Sequence, residues 1–391
     1  MRWPILTLLA ASLFTSAAWA DPGIQLKSEC PPSFEKAADG TCQLRTLYDF
    51  YDSPAEHGGL RAALPDLPAR YTPEQIDLGR YLFFDPLLSA RRDVACGSCH
   101  QPSKGLADGR PQGLGGFRPD GSRAHLPRAT PSLWNVAFLK RLMWDGSAHE
   151  LVGQAQRPLF NADEMGNTPE QLERSVRSTA GYPPLFRQAF GDDPTVENIA
   201  TALAAFQSSL ISLNSRYDRY VHGDSGALSS QEVRGYNSFR GFVARCTQCH
   251  VPPLFTDSEL AVIGVPNAQG QAFDPGAGRR STDPSLLGAF KVPTLRNITR
   301  TAPYFHAGQS QSLDEAVHFY NDTRGHAAPK GVPLKLHWHI HMTRGPQLSK
   351  EDERDIVAFL SSLEDELMLP TVPKTLPSGL KPSTTLSAES P

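Results

Sequence analysis

The sequence predicts a mainly α-helical chain built by internal duplication, and three observations carry that expectation. Apolar residues recur at helical spacing in several segments opened by capping residues, with no βαβ alternation and no strand-rich repeat. Two five-residue patterns, Cys96-Gly97-Ser98-Cys99-His100 and Cys246-Thr247-Gln248-Cys249-His250, share the form C-x-x-C-H. Upstream of each, a glycine is followed four positions later by a phenylalanine: Gly79 and Phe83 before the first, Gly235 and Phe239 before the second. Residues four apart share a helical face, so each glycine allows a close neighbour where the ring packs.

Residues 1–20 carry Arg2, an apolar run from Ile5 to Phe14 and an Ala18-Trp19-Ala20 ending before Asp21. A basic start, a short apolar core and an A-x-A site describe a secretory signal peptide, so cleavage and export to the periplasm are expected. A retained anchor is the alternative. The run is too short to span a bilayer, and no later segment offers the ~20 consecutive apolar residues a spanning helix needs. Residues 21–70 read as an extended Pro- and Gly-rich arm. Cys30 and Cys42 are expected to close it as a disulfide, with a metal or redox pair as the alternative.

Thr72-Pro73-Glu74-Gln75 is a capping box with proline at the first helical position, opening a helix towards Phe84. The same four residues recur as Thr168-Pro169-Glu170-Gln171. From Val196, apolar residues at Ile199, Leu203, Phe206, Leu210 and Leu213 mark an amphipathic helix. Ser349 to Asp352 cap a last helix with Ile356, Phe359, Leu360 and Leu363 on one face. Beyond Pro370 a Pro-, Ser- and Thr-rich tail without period is expected to be disordered.

Without Arg2, 37 basic residues face 41 acidic ones, which leaves no nucleic-acid footprint and no basic membrane patch. The 371 residues after Ala20 suffice for two or three domains with cores of their own.

C-x-x-C-H is the c-haem attachment signature: each thiol binds one vinyl group, and the adjacent histidine ligates the iron. Two redox dithiols or a zinc site are the alternatives, and the repeated histidine with its matching upstream helix argues against both. His100 and His250 are therefore read as proximal ligands, beside Cys96, Cys99, Cys246 and Cys249. The fold class becomes mainly α with two cytochrome c-like haem domains in tandem and an N-terminal disulfide-closed arm. The expected boundaries are an arm over 21–70, a first haem domain over 71–225, a second over 226–368 and a tail over 369–391. Cleaving the O–O bond of H₂O₂ needs a base for one proton and a donor for the leaving oxygen, and one carboxyl can do both in turn. The stretch from Trp144-Asp145-Gly146 through Gln154 to Glu164-Met165 supplies an acid, an amide and an aromatic ring.

From Tyr71 to Leu363 the sequence resembles the bacterial dihaem cytochrome c peroxidases, including MauG-type enzymes. The resemblance rests on ordered blocks around the two haem motifs: Leu82-Phe83-Phe84-Asp85-Pro86, Thr130-Pro131-Ser132-Leu133-Trp134-Asn135, Trp144-Asp145-Gly146, Glu164-Met165, Val292-Pro293-Thr294-Leu295-Arg296-Asn297 and Thr301-Ala302-Pro303-Tyr304-Phe305-His306. It implies that Glu164 is the distal acid–base carboxylate, Gln154 the amide beside it and Trp144 the aromatic between the haems. The His100 haem would be the peroxide site and the His250 haem the electron-entry site. Without the resemblance, Glu164 reads as an ordinary solvated carboxylate and Trp144 as a core aromatic.

The resemblance also places Tyr320 where other members have either a methionine or a tyrosine as second axial ligand of the C-terminal haem, with His318 and Met342 as rivals. Tyrosine ligation favours ferric iron and lowers the potential, which suits oxidation of a demanding substrate. Three departures stand out. Ala129 replaces an asparagine that helps hold a calcium ion between the domains, leaving Thr301 and Pro303 as backbone contributors. His125 is the candidate for a movable distal histidine in a loop of different length. Ala244 replaces a surface tryptophan. Outside the family pattern, His337, His339 and His341 would share one face of an extended segment, which suits copper or zinc, or would be incidental loop histidines. The expected function is a periplasmic peroxidase with two covalent haems and a possible calcium ion. It would act on H₂O₂ with a small periplasmic electron donor or a protein substrate as partner. The rival from another class is a dihaem electron carrier without substrate chemistry.

Overall fold

The computed structural model describes residues 23–45, 66–118, 120–268, 270–321, 331–337, 347–365 and 369–386. The expected signal peptide, Trp338, His339, His341 and Met342 lie outside them. Strands β1 (Phe34–Lys36) and β2 (Cys42–Leu44) pair antiparallel in the arm, and a Cys30–Cys42 disulfide closes them. Then come α1 (Pro73–Phe84), α2 (Cys96–Cys99), a hairpin of β3 (Leu114–Phe117) and β4 (Arg123–His125), α3 (Leu151–Phe160), α4 (Pro169–Ser178), α5 (Tyr182–Phe190) and α6 (Val196–Ser208). Helices α7 (Arg216–Val221) and α8 (Ser230–Arg240) precede the second motif. After it, β5 (Leu260–Ala261) pairs with β6 (Phe290–Lys291), followed by α9 (Leu313–Asn321) and α10 (Lys350–Ser361). The chain is helix-rich, as expected.

Capping places the helix starts. Thr72 Oγ1 accepts from the Gln75 N–H while the Gln75 side chain accepts from the Thr72 N–H, and Ser349 with Asp352 repeats the arrangement before α10. Helix α6 ends at Ser208, earlier than the apolar period suggests. Leu210 and Leu213 are still buried, but in irregular backbone rather than on a helical face.

The apolar interior divides along the chain. One buried cluster draws on α1 to α6, with Trp134, Tyr182, Phe186 and Phe206 among its members. A second, of Tyr217, Tyr236, Phe239, Phe255 and Phe359, forms around α7, α8 and α10. Each half is organised by one close helix crossing. A Cβ on Gly79 would lie 1.8 Å from the Ala202 carbonyl oxygen of α6, and one on Gly235 would lie 1.8 Å from the Asp355 carbonyl oxygen of α10. The phenylalanines one turn on close each crossing: Phe83 meets Phe206 at 5.0 Å between ring centroids, and Phe239 meets Phe359 at 5.2 Å.

The tail differs from its expectation. Residues 369–386 pack back onto the first half, burying Leu376 and Leu386. The Ser383 N–H donates to the Phe84 carbonyl at 3.0 Å, and Ser383 Oγ lies 2.7 Å from Ser98 Oγ inside the first motif. A segment held through backbone groups and single side chains needs no periodic pattern, which is why its sequence looks unstructured.

The crossings yield a stability prediction. Gly79→Ala or Gly235→Ala forces backbone apart and should cost at least about 1–3 kcal/mol, read as a clear drop in the thermal midpoint. Gly153, on α3 with nothing within 4 Å of where a methyl group would sit, is the control. Gly153→Ala should hold or raise the midpoint, with a gain in stability of up to about 1 kcal/mol.

Candidate haem sites

The two C-x-x-C-H motifs are built alike. In each, the histidine N–H donates to the carbonyl of the first cysteine, at 2.8 Å for His100 and 2.9 Å for His250. His100 Nδ1 lies 2.9 Å from the Leu106 carbonyl, and His250 Nδ1 lies 3.0 Å from the Phe255 carbonyl. A carbonyl only accepts, so Nδ1 carries the proton and Nε2 presents its lone pair. Burial pushes the pKa of both rings down, which favours the neutral form that binds a metal. Leu106 and Phe255 reach these positions with left-handed backbone, φ 60° and 53°.

The four motif cysteines are free of disulfides. Burial raises all four thiol pKa values, with Cys96 and Cys246 pushed up to about 12 and Cys249 to about 11. Redox dithiols instead need a depressed pKa. Among the described residues no cluster of three or more His, Cys, Asp or Glu stands ready for a metal ion, so a zinc site has no support either. Two thiols outside any disulfide, followed by a neutral histidine whose Nδ1 is engaged by a carbonyl, fit a covalently attached haem. At the second motif the fit extends to a cavity lined by Cys246, Cys249 and His250 together with Phe239, Ile263, Leu295 and Tyr320.

Glu164 sits in the turn after α3, half-buried, and its charge acts on the Cys96 and Cys99 thiols. Asn161 Nδ2 donates to its Oε1 at 2.7 Å. Burial raises its carboxyl pKa above the ordinary range, against the lowering effect of that hydrogen bond. Gln154, on α3, donates from Nε2 to Met143 Sδ at 3.6 Å. His125 lies on the exposed end of β4.

Trp144 stands where the two halves meet and lines the cavity of the second motif. Its indole Nε1 donates to the Ala129 carbonyl at 2.7 Å, while its own carbonyl accepts from the Lys291 N–H at 2.8 Å. Next to these residues Arg128 forms a fork on Asp274, at 2.7 and 3.0 Å, and approaches Asp145 at 3.3 Å. Burial works to raise both carboxyls, yet hydrogen bonds from Ser147 to Asp145 and from Arg128 to Asp274, with the Arg128 charge, hold both below the ordinary range.

Tyr320, near the end of α9, lines the cavity with Cys246, Cys249 and His250. Burial, helped by the two cysteines, raises its phenol pKa, so a phenolate there requires a cation in the cavity. His318 points away, exposed, with Nδ1 3.0 Å from Glu353 Oε1. His337 is half-buried at the cavity wall, and its N–H donates to the Val262 carbonyl. Position 129 offers a calcium ion no side-chain oxygen, and its carbonyl accepts from Trp144.

Sequence reasoning missed several residues at the seam. His306 is buried and stacked on Phe290 at 3.9 Å between centroids, and burial brings its pKa down to about 4. The signal that could have found them is the residue-by-residue register of the internal repeat. Asn135 and Asn297 are 162 positions apart, as are Met143 and Phe305, and Gly146 and Gly308, and all six have positive φ. The same spacing sets His306 against Trp144 and Lys291 against Ala129.

Comparison with known proteins agrees with this geometry. A family model described as Di-haem cytochrome c peroxidase matches residues 73–226. The methylamine utilization protein MauG of Methylorubrum extorquens is 35% identical over 306 residues, covering 78% of this chain and 82% of that protein. The cytochrome c551 peroxidase of Nitrosomonas europaea is 35% identical over 329 residues, covering 82% of this chain and 90% of the relative. Among solved structures, a MauG-like protein associated with microbial copper homeostasis superposes with a TM-score of 0.67 at 28% identity, over 82% of this chain and 97% of that one. The diheme peroxidase BthA from Burkholderia thailandensis E264 superposes with a TM-score of 0.64 at 26% identity, over 92% of this chain and 99% of the other. With matching length, fold and two haem-attachment motifs behind it, the chain belongs to the dihaem cytochrome c peroxidase and MauG family.

Proposed function

We propose that this protein is a periplasmic peroxidase that consumes H₂O₂ at its first C-x-x-C-H site and exchanges electrons with a partner protein through the second. Cys96, Cys99 and His100 would hold one haem in a unit spanning 71–225. Cys246, Cys249 and His250, with Tyr320 in the same cavity lining, would hold the other in a unit spanning 226–368. Bound there, haem supplies redox-active iron that accepts peroxide at one site and carries electrons at the other. Export to an oxidising compartment accords with the Cys30–Cys42 disulfide. No helix among the described residues is long and apolar enough to cross a membrane.

Glu164 carries this reading. A half-buried carboxyl with a raised pKa, beside Cys96 and Cys99, suits both halves of the proton traffic. As a carboxylate it takes a proton from H₂O₂, and as an acid it returns that proton to the departing oxygen. Gln154 stands on the adjoining α3 helix as the amide of the site. Trp144, fixed by Ala129 and Lys291, is the aromatic side chain best placed to couple the halves. Two electrons and two protons turn H₂O₂ into two waters, and the electrons come either from a small redox protein or from a side chain of a partner protein that is oxidised in the exchange. Tyr320 favours the second source, because a tyrosine ligand lowers the potential. Ala244, where MauG-type members use a tryptophan, favours the first.

Glu164→Gln should leave both haems attached and cut peroxide turnover by roughly 10²- to 10⁴-fold in a stopped-flow assay. Wild-type activity should fall on acidification through the raised Glu164 pKa, because the proton-accepting carboxylate is lost, and this acid limb should vanish in the variant. A variant as active as wild type removes Glu164 from the mechanism. If Tyr320 ligates, one equivalent of H₂O₂ added to the fully oxidised protein without reductant should change its optical and EPR spectra at once. Tyr320→Met should then raise the midpoint potential of one haem. A protein that stays inert to both peroxide and cyanide after reduction as well would point instead to an electron carrier.

A further inference from the structure

Lys291 is a buried cation without a counter-ion among the described residues. Its residue is only 8% exposed, and it lines the cavity with Trp144, Cys246, Cys249 and His250. The short β6 strand sets its direction through pairing with Leu260, and its backbone N–H is used by the Trp144 carbonyl. Burial alone acts on the ammonium, bringing its pKa down to about 8, so it remains mostly charged at neutral pH. Its charge reaches His250, whose pKa it lowers.

Asp108 lines the same cavity with its Oδ2 unpartnered, but its charge acts on Cys99 and His100 and not on Lys291. The other carboxylates around the cavity are engaged elsewhere. Asp145 and Asp274 are held by Arg128, Glu259 faces Lys140 and Arg141, and Asp257 Oδ1 accepts from the Glu259 N–H. An ammonium taken out of water is strongly destabilising unless an anion meets it. Here the anion has to come from whatever fills the cavity. The group that Cys246, Cys249 and His250 fit carries two propionate carboxylates on an otherwise apolar ring. The repeat sharpens the point, because the first half has Ala129 at the corresponding position and so lacks this cation.

We infer that Lys291 is the counter-cation of a propionate carboxylate on the haem attached to Cys246 and Cys249. The pairing joins that haem to the strand whose backbone also holds Trp144, so one residue ties the cofactor edge to the bridging aromatic. The inference rests on haem attachment at the second motif and not on peroxide chemistry. A pyridine haemochrome assay with intact mass tests attachment separately.

The test uses the full dihaem protein and its Lys291→Met and Lys291→Arg variants, each carrying two haems by mass. Resonance Raman spectroscopy reads the propionate bending mode, which responds to hydrogen bonding at the carboxylate. The expected result is a shifted mode in Lys291→Met, a retained mode in Lys291→Arg, and a lower midpoint potential for one haem in the methionine variant alone. An unshifted mode in Lys291→Met, or the same shift in both variants, overturns the pairing. Should the methionine variant fail to load haem, Lys291→Gln is read by potential instead, since it keeps a donor but no charge, and an unchanged midpoint potential overturns the pairing.

Discussion

The molecule depends on two places where helices approach too closely to admit a side chain. At Gly79 and Gly235 a backbone carbonyl of the crossing helix occupies the space a Cβ would need. Each contact fixes the distance and angle between the helix before a C-x-x-C-H motif and a later helix, α6 in the first case and α10 in the second. Because α2 follows α1 and the second motif follows α8 after short connections, the position of each cysteine pair is inherited from the crossing upstream. The phenylalanine rings then fill the angle between the helices, and Phe239 also reaches the wall of the second cavity. Packing and attachment chemistry are thus one geometric problem, solved twice.

The seam between the halves has a different logic, since it is polar and mostly unduplicated. Residues 128 and 129 serve both sides: Arg128 grips Asp274 while approaching Asp145, the Ala129 carbonyl receives the Trp144 indole, and the Ala129 N–H donates to the His306 carbonyl. Trp144 is consequently held by its ring on one side and by its backbone on the other. In the function proposed, an aromatic anchored at both ends would lose little further freedom if charge moved through it, and the polar framework would act on rate through rigidity. The repeat that gives both halves the same turns gives them different side chains here, Trp144 against His306 and Ala129 against Lys291. Divergence within a duplicated frame is how two similar sites come to differ in task.

Much of this is legible in the sequence, and the reason lies in range. The haem motifs, the capping boxes at Thr72 and Ser349 and the arm disulfide involve residues a few positions apart, whose chemistry is local. Glu164, Gln154, Trp144 and Tyr320 are reached through resemblance rather than spacing, since each alone is an ordinary residue type. What stays hidden depends on distant partners. Arg128 meets Asp274 across 146 positions, and nothing near either residue announces the other. Lys291 lies on a two-residue strand, too short for an alternating pattern, and a lysine reads as surface until its surroundings are known. The apolar run after Ser208 keeps a helical period while the backbone leaves the helix, because burial there is supplied by other parts of the fold.

The returning tail has a consequence for the order in which the molecule is completed. Ser98 is fully buried, and Ser383 touches its hydroxyl. Synthesis runs from the N-terminus, so Ser383 emerges only after every residue of both halves. The motif that comes first along the chain is therefore enclosed last. Until that moment Gly97 and Ser98, which lie between the two motif cysteines, lack the contacts that the returning tail gives them.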